Sequence, residues 1–257
     1  MGPRGQKRGL RGVPVGGSVT ESSTLLRGRT ATVAASLLMA VAAWAVVVWQ
    51  ATRAGDMKMG PLLFLGSWAV MMVAMMLPSA LPVLLTFDRI QAGRRKQDRV
   101  AVPTWVFLGG YLVVWIAFGA VALGVRELLG ATGVSFHGPA AAGVLLVVAG
   151  LYQSSPLKHA CLGKCRSPLG FVLGSWRDGP LGALRMGLEH GAFCLGCCWV
   201  LFLVLFPLGL MNLAAMAALT ALVLAEKVLP AGPNLARAAG VGLLVCGLLS
   251  LARTTSP

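Results

Sequence analysis

Seven runs of apolar residues, most of them close to the length of a bilayer-crossing helix, constrain this chain more than anything else in it. Crossing the hydrocarbon as an α-helix takes about 20 consecutive apolar residues, and no lipid-facing loop survives there because its amides find no partner. Six runs are plain: 31–50, 62–85, 104–125, 139–156, 186–206 and 236–252. The seventh, "LMNLAAMAALTALVLAEK" (210–227), follows the fifth after "PLG" (207–209). Proline and glycine there predict two antiparallel helices joined by a tight 207–210 turn instead of one long helix. The expected fold is all-α: a polytopic helical membrane bundle of about seven transmembrane helices, with six as the fallback.

Charge supports this reading. Only 12% of the residues are charged and 57% are hydrophobic, with a mean hydropathy of +0.79, whereas a soluble domain is about 25% charged. The formal net charge of +14 comes from basic residues in the N-terminal tail and in short loops. No basic surface studded with aromatics is visible, so nucleic acid is not an expected partner. Basic residues gather in the tail, in "DRIQAGRRKQDR" (88–99) and between Lys158 and Arg185. Seven helices with a cytoplasmic N-terminus place all three groups, together with Glu226 and Lys227, on one side, as the positive-inside rule requires.

Residues 1–29 are rich in Gly and Arg and are expected to form a disordered basic cytoplasmic tail. Gln6 stands where a myristoylation signal has Ser or Thr. The first apolar run exceeds the about 7–15 residues of a secretory h-region, which predicts a retained helix. Residues 30–253 read as one integral membrane domain, and the Gly-, Ser- and Pro-rich stretch of about 157–180 reads as a cytoplasmic loop that carries cysteines.

The chemistry concentrates in "HGAFCLGCCW" (190–199). On a helix at about 100° per residue, His190, Cys194, Cys197 and Cys198 share a face about 100° wide, Met186 extends it, and Trp199 points away. Soft thiolates and imidazole in one stripe form a ligand set for Cu(I), zinc or an iron–sulfur centre, provided that neighbouring helices complete the shell. The alternative is packing, because free cysteine behaves as a small buried hydrophobe. Gly187 and Gly191 form a G-x-x-x-G seam beside Cys198 that admits a second helix closely. Arg185 stands four residues before Glu189, a spacing that allows an ion pair within the helix. A covalent haem site is not expected, since Cys198 occupies the place of the histidine in C-x-x-C-H.

Two further groups extend this chemistry. In the second span Met71, Met72, Met75 and Met76 share a face with Ser79, and Pro78 and Pro82 interrupt the same helix. Thioethers suit Cu(I), and Met57 and Met59 add an M-x-M near the outer end, although methionine also fills gaps in apolar packing. This helix is the first candidate to complete the shell. "KHACLGKCRSP" (158–168) sets Cys161 and Cys165 four residues apart, as a secondary metal pair or a relay. His137 and Cys246 stand apart and read as structural.

"MMVAMMLPS" (71–79), "CLGKCRSP" (161–168), "GLEHGAFCLGCCW" (187–199), "GLMN" (209–212) and "EK" (226–227) occur in that order. Together they resemble a bacterial family of predicted metal-binding integral membrane proteins of unknown function, over roughly residues 30–250. The resemblance implies a multi-pass bacterial membrane protein with His190, Cys194, Cys197 and Cys198 as the matched metal positions. Ala215 departs from it, standing where tryptophan is expected.

The expected function is binding of a transition metal, copper before zinc or iron, through the His/Cys face of the fifth span, in transport, homeostasis or metalloprotein assembly. The sequence shows no phosphate-binding loop and no acidic relay through the membrane, which argues against a self-powered pump, and an enzyme is not the expected reading. The expected partners are the lipid bilayer, the metal ion and a membrane or metallochaperone protein, in the bacterial cytoplasmic membrane. Two other classes stay open. One is a membrane thiol–disulfide oxidoreductase using Cys194/Cys197 with Cys161/Cys165 as a shuttle, and the other is a scaffold subunit whose cysteines only pack.

Overall fold

The computed structural model describes residues 19–53, 60–132, 138–209 and 212–255, and all the regular structure in them is helical. In chain order the helices are α1 (Val19–Arg53), α2 (Pro61–Lys96), α3 (Thr104–Thr132), α4 (Pro139–Gln153), α5 (Pro156–Arg166), α6 (Pro168–Gly174), α7 (Gly179–Leu203), α8 (Leu205–Leu208), α9 (Leu213–Val228) and α10 (Gly232–Thr255). Proline stands in the first turn of α2, α4, α5, α6 and α7, where its missing N–H costs nothing. Pro78 and Pro82 instead lie inside α2, which continues through both.

Five helices, α1, α2, α3, α7 and α10, are long and apolar enough to cross a bilayer, and a sixth span arises if α4 and α5 count as one. That pair bends by 63°. Pro156 starts α5, and the Ser155 hydroxyl caps it by accepting from the Lys158 N–H at 3.1 Å. The seventh expected span became α9, only 16 residues long. The expected break before it is present: Gly209 adopts φ +92° and the Asn212 side chain caps α9 by accepting from the Ala215 N–H.

Two boundaries differ from expectation. The stretch 157–180 is largely helical, because Pro156 and Pro168 begin helices instead of interrupting a loop. Helix α1 begins at Val19, ten residues inside the expected tail, while residues 1–18 lie outside the described residues, as do Met57, Met59 and His137.

Helices α2 and α7 form the centre, with 61% and 56% of their apolar windows buried against 22% for α1 and 17% for α10. The outer helices direct Leu38, Val41 and Leu248 away from the bundle, as a lipid-facing surface requires. The glycine seam of α7 admits α3: a Cβ on Gly187 would collide with the Phe107 carbonyl, and one on Gly191 would lie 3.0 Å from the Tyr111 carbonyl oxygen. The Arg94–Asp178 ion pair at 2.8 Å places the basic 88–99 segment beside the start of α7.

Helix α9 is held by charge. Lys158 Nζ pairs with Glu226 Oε2 at 2.7 Å, Gln153 Nε2 donates to Glu226 Oε1 at 2.8 Å, and Lys158 also donates to Gln153 Oε1. All three side chains are buried. Gln153 and Lys158 flank the α4–α5 break, so this network braces the bend against α9.

Two outcomes follow for stability in detergent micelles. Glu226→Gln leaves Lys158 unpaired and is expected to cost about 3–5 kcal/mol, most of it regained when Lys158→Met removes the second charge. Gly187→Ala, by forcing α3 from α7, is expected to cost about 1–3 kcal/mol. Gly66→Ala, which has open space around it, costs nothing by the same denaturation measurement.

Candidate metal centre

The α7 stripe is formed as its spacing predicts. His190, Cys194, Cys197 and Cys198 are each buried to 3% exposure or less. Trp199 lies on the other side, edge-on to Tyr152 at 5.6 Å. Near the start of the helix, Glu189 meets Arg177 at 3.0 Å and Arg185 at 3.7 Å, which satisfies the carboxylate that the sequence sets beside the stripe.

Helix α5 supplies the second sulfur group. Cys165 is buried in the same cluster as Cys194, Cys197 and Cys198, which brings its thiol beside theirs. Cys161 is half-buried with its Sγ against Gly196, where a Cβ would come within 2.8 Å of it. Both cysteines therefore face α7. Glycine at 196 gives Cys161 the room to do so, and the Tyr152 hydroxyl donates to the Gly196 carbonyl.

Helix α2 contributes differently from expectation. Met72, Met75 and Met76 are fully buried in the same apolar cluster as Cys165, Cys194, Cys197 and Cys198. The polar link from α2 to the thiols is Ser79, through Lys227. Lys227 Nζ donates to Ser79 Oγ at 3.0 Å and to Cys194 Sγ at 2.9 Å. From α3, the Tyr111 hydroxyl shares a hydrogen bond of 3.1 Å with the same sulfur. Cys194 thus touches groups from α3 and α9.

Among the described residues no three His, Cys, Asp or Glu side chains stand as a group arranged to hold a metal ion. The thiol orientations account for this. Cys197 and Cys198 both turn back to donate to the Cys194 carbonyl, at 3.0 and 2.9 Å, so their sulfurs follow their own helix. The donor chemistry nevertheless suits a soft monovalent ion, with four thiols on two facing helices and thioethers behind them. His190 adds an unspent group. Its ring is enclosed by Phe107, Tyr111 and Phe171 at 5.0–6.0 Å, and its buried Nδ1 has no hydrogen-bond partner. An orphaned buried polar atom costs about 1–3 kcal/mol, so Nδ1 is a polar atom on this stripe with no other use in the fold.

Sequence reasoning missed Lys227, Tyr111, Glu226 and Lys158. The signals were slight. Tyr111 and Tyr152 are the only two tyrosines in the chain, and both reach the cysteine segment of α7. Glu226 and Lys227 end an apolar run and were expected at the membrane surface. Adjacent helical residues point about 100° apart, so one charge faces α4 and α5 while the other faces α2 and α7. Cys246, expected to be structural, is exposed on α10 and lies apart from the other thiols.

A family model described as "PpoB2: Copper chaperone" matches residues 65–250, which include every residue of this centre. No curated protein and no solved structure matches the chain. The matched segment runs from α2 to α10 and covers most of the sequence: the chain belongs to the PpoB2 family, described as copper chaperones.

Proposed function

We propose that this protein is a membrane-embedded carrier of cuprous ion that binds its cargo at the α5–α7 thiols and passes it to a protein partner in the bacterial cytoplasmic membrane. The observation that carries this reading is the burial of Cys165 in one cluster with Cys194, Cys197 and Cys198, where Lys227 donates to Cys194. Thiols from two helices gather in one buried cluster. Membership of a copper chaperone family supports the choice of cargo.

Cys194 and Cys165, one thiolate from each helix, hold the ion, and Cys197, Cys198 and His190 flank it as exchange ligands. Binding requires the Cys197 and Cys198 side chains to release the Cys194 carbonyl and turn outward, with thiol protons leaving as Cu–S bonds form. Lys227 stays beside Cys194 and neutralises the thiolate–copper unit. The buried methionines of α2 extend the soft surface, and Cys161 lies on the path to the α5 end.

In the membrane the chain has seven spans. Helix α9 covers about 24 Å at 1.5 Å per residue, enough to cross a bilayer thinned around it. The basic segments at 88–99 and 158–185 then face the cytoplasm together with the N-terminus. The α5 cysteines accordingly exchange metal on the cytoplasmic side.

The test is Cu(I) binding to the purified, reduced protein, measured by competition with a chromogenic chelator. Wild type is expected to bind stoichiometrically, and Cys194→Ser to lose more than about 100-fold in affinity. Lys227→Met, which keeps all ligands, is expected to lose about 10–100-fold, as removal of an outer-shell group does. Cys246→Ser binds as wild type does. A metal-free protein whose Cys194 and Cys197 interconvert between thiol and disulfide would overturn this reading in favour of an oxidoreductase.

A further inference from the structure

The copper reading leaves open how a charged cargo reaches thiols that are sealed from solvent. A half-open cavity of about 280 Å³ lies between α5, α6 and α7, lined by Lys164, Phe171, Gly174, Glu189, Ala192 and Phe193 among others. Its inner wall is Phe171. The Phe171 ring lies 5.0 Å from the His190 ring and edge-on to Phe193 at 6.2 Å. One side chain therefore separates the cavity from the imidazole whose Nδ1 is buried and unpartnered. His190 is one helical turn from Cys194 on the same face, so the cavity points at the end of the thiol stripe.

The rim has a sign. Lys164 and Glu189 line the cavity, and Glu189 is already shared by Arg177 and Arg185. With Glu189 paired to two arginines outside the lining, Lys164 leaves the rim net positive, and such a rim repels a bare cuprous ion while attracting an anion. The volume is near the lower end of the roughly 300–1,000 Å³ of small-molecule sites, too small for a protein domain but sufficient for a small ligand.

We infer that this cavity is the loading port of the metal centre, that it receives cuprous ion as an anionic complex of a low-molecular-weight thiol, and that Phe171 is the shutter between it and His190. The inference rests on the copper reading above. Transfer is a ligand exchange without redox change. The bond from copper to the carrier thiolate breaks as the bond to a cluster sulfur forms, and the proton of the cluster thiol passes to the released carrier thiolate. His190 Nδ1 is the first protein atom the ion meets.

The experiment loads the full-length protein, reduced and in lipid nanodiscs, with Cu(I) supplied as its glutathione complex, and follows uptake with time. Ala192→Trp fills the cavity from an exposed position outside the binding machinery. It is expected to slow loading by about tenfold or more, within the one to three decades over which association rates vary among variants of one site, with the end-point stoichiometry unchanged. Lys164→Glu is expected to slow loading from the anionic glutathione complex severalfold and to speed loading from the cationic acetonitrile complex, since a rim charge acts on the association rate with the sign of the incoming charge. A metal-free readout accompanies these, the bimane labelling rate of Cys165, Cys194 and Cys197 read peptide by peptide, which Ala192→Trp should also lower. Wild-type rates for Ala192→Trp in both readouts would overturn the port. Equal slowing of both copper complexes by Lys164→Glu would overturn the anionic carrier. A wild type that takes no copper, while Ala192→Trp still shields the thiols, would keep the port and remove the copper reading.

Discussion

A lysine ammonium held inside an apolar bundle is the constraint on which the rest of this structure depends. Taking such a charge out of water costs several kcal/mol unless hydrogen-bonded partners compensate it. Among the described residues no carboxylate forms an ion pair with Lys227; Glu226 is spent on Lys158. The ammonium instead has Ser79 of α2 and Cys194 of α7. It thereby joins three helices at one point. Because Glu226 points about 100° away into a second buried network, the rotation of α9 about its own axis is set twice over. A helix of 16 residues needs that, since its apolar surface alone is small.

The placement of Cys165 follows from the same helix. Arg166 donates to the carbonyls of Glu226 and Leu229, each at 2.6 Å, and of Pro230 at 3.1 Å. These carbonyls lie at the C-terminal end of α9, where helical acceptors lack intrahelical donors. Arg166 supplies the missing cap and in doing so ties the end of α5 to the end of α9. Lys158 ties the other end of α5 to Glu226. With both ends of α5 fastened, Cys165 is held against α7 one residue before the clamp. The break between α4 and α5 is what makes this possible, because a straight helix through Ser154 and Ser155 would carry the cysteines away along the axis of α4.

Local periodicity carried the α7 stripe into view: four side chains at positions 190, 194, 197 and 198 lie on one face of any α-helix, whatever surrounds it. The glycine seam was legible for a similar reason, since two glycines four apart leave a groove. Its occupant was not. A groove accepts any backbone, and the choice of α3 over α2 rests on Gly110, where a Cβ would press on α7 in turn. In sequence 157–180 reads as a loop because proline and glycine mark both loops and first helical turns, and only the capping geometry separates the two. Buried charge was the least legible feature. Lys158 and Glu226 stand 68 residues apart, and nothing local to either distinguishes a buried partner from a membrane-surface charge.

Charge balance also gives the proposed centre a preference among metals. Two thiolates around a cuprous ion carry one net negative charge, and the Lys227 ammonium beside Cys194 cancels it within hydrogen-bond distance. The same two thiolates around zinc are neutral, which leaves the ammonium unbalanced where the dielectric is low. Zinc would need a third thiolate to restore neutrality and a tetrahedral set of donors. Cys197 and Cys198, adjacent on one helix and both turned to the Cys194 carbonyl, can supply only part of such a set without unwinding α7. A soft, singly charged ion with few ligands makes the smaller demand on the backbone. On this argument the selectivity of the centre resides in the lysine as much as in the sulfurs, because the ammonium decides how much positive charge the thiols can take up and still be neutral.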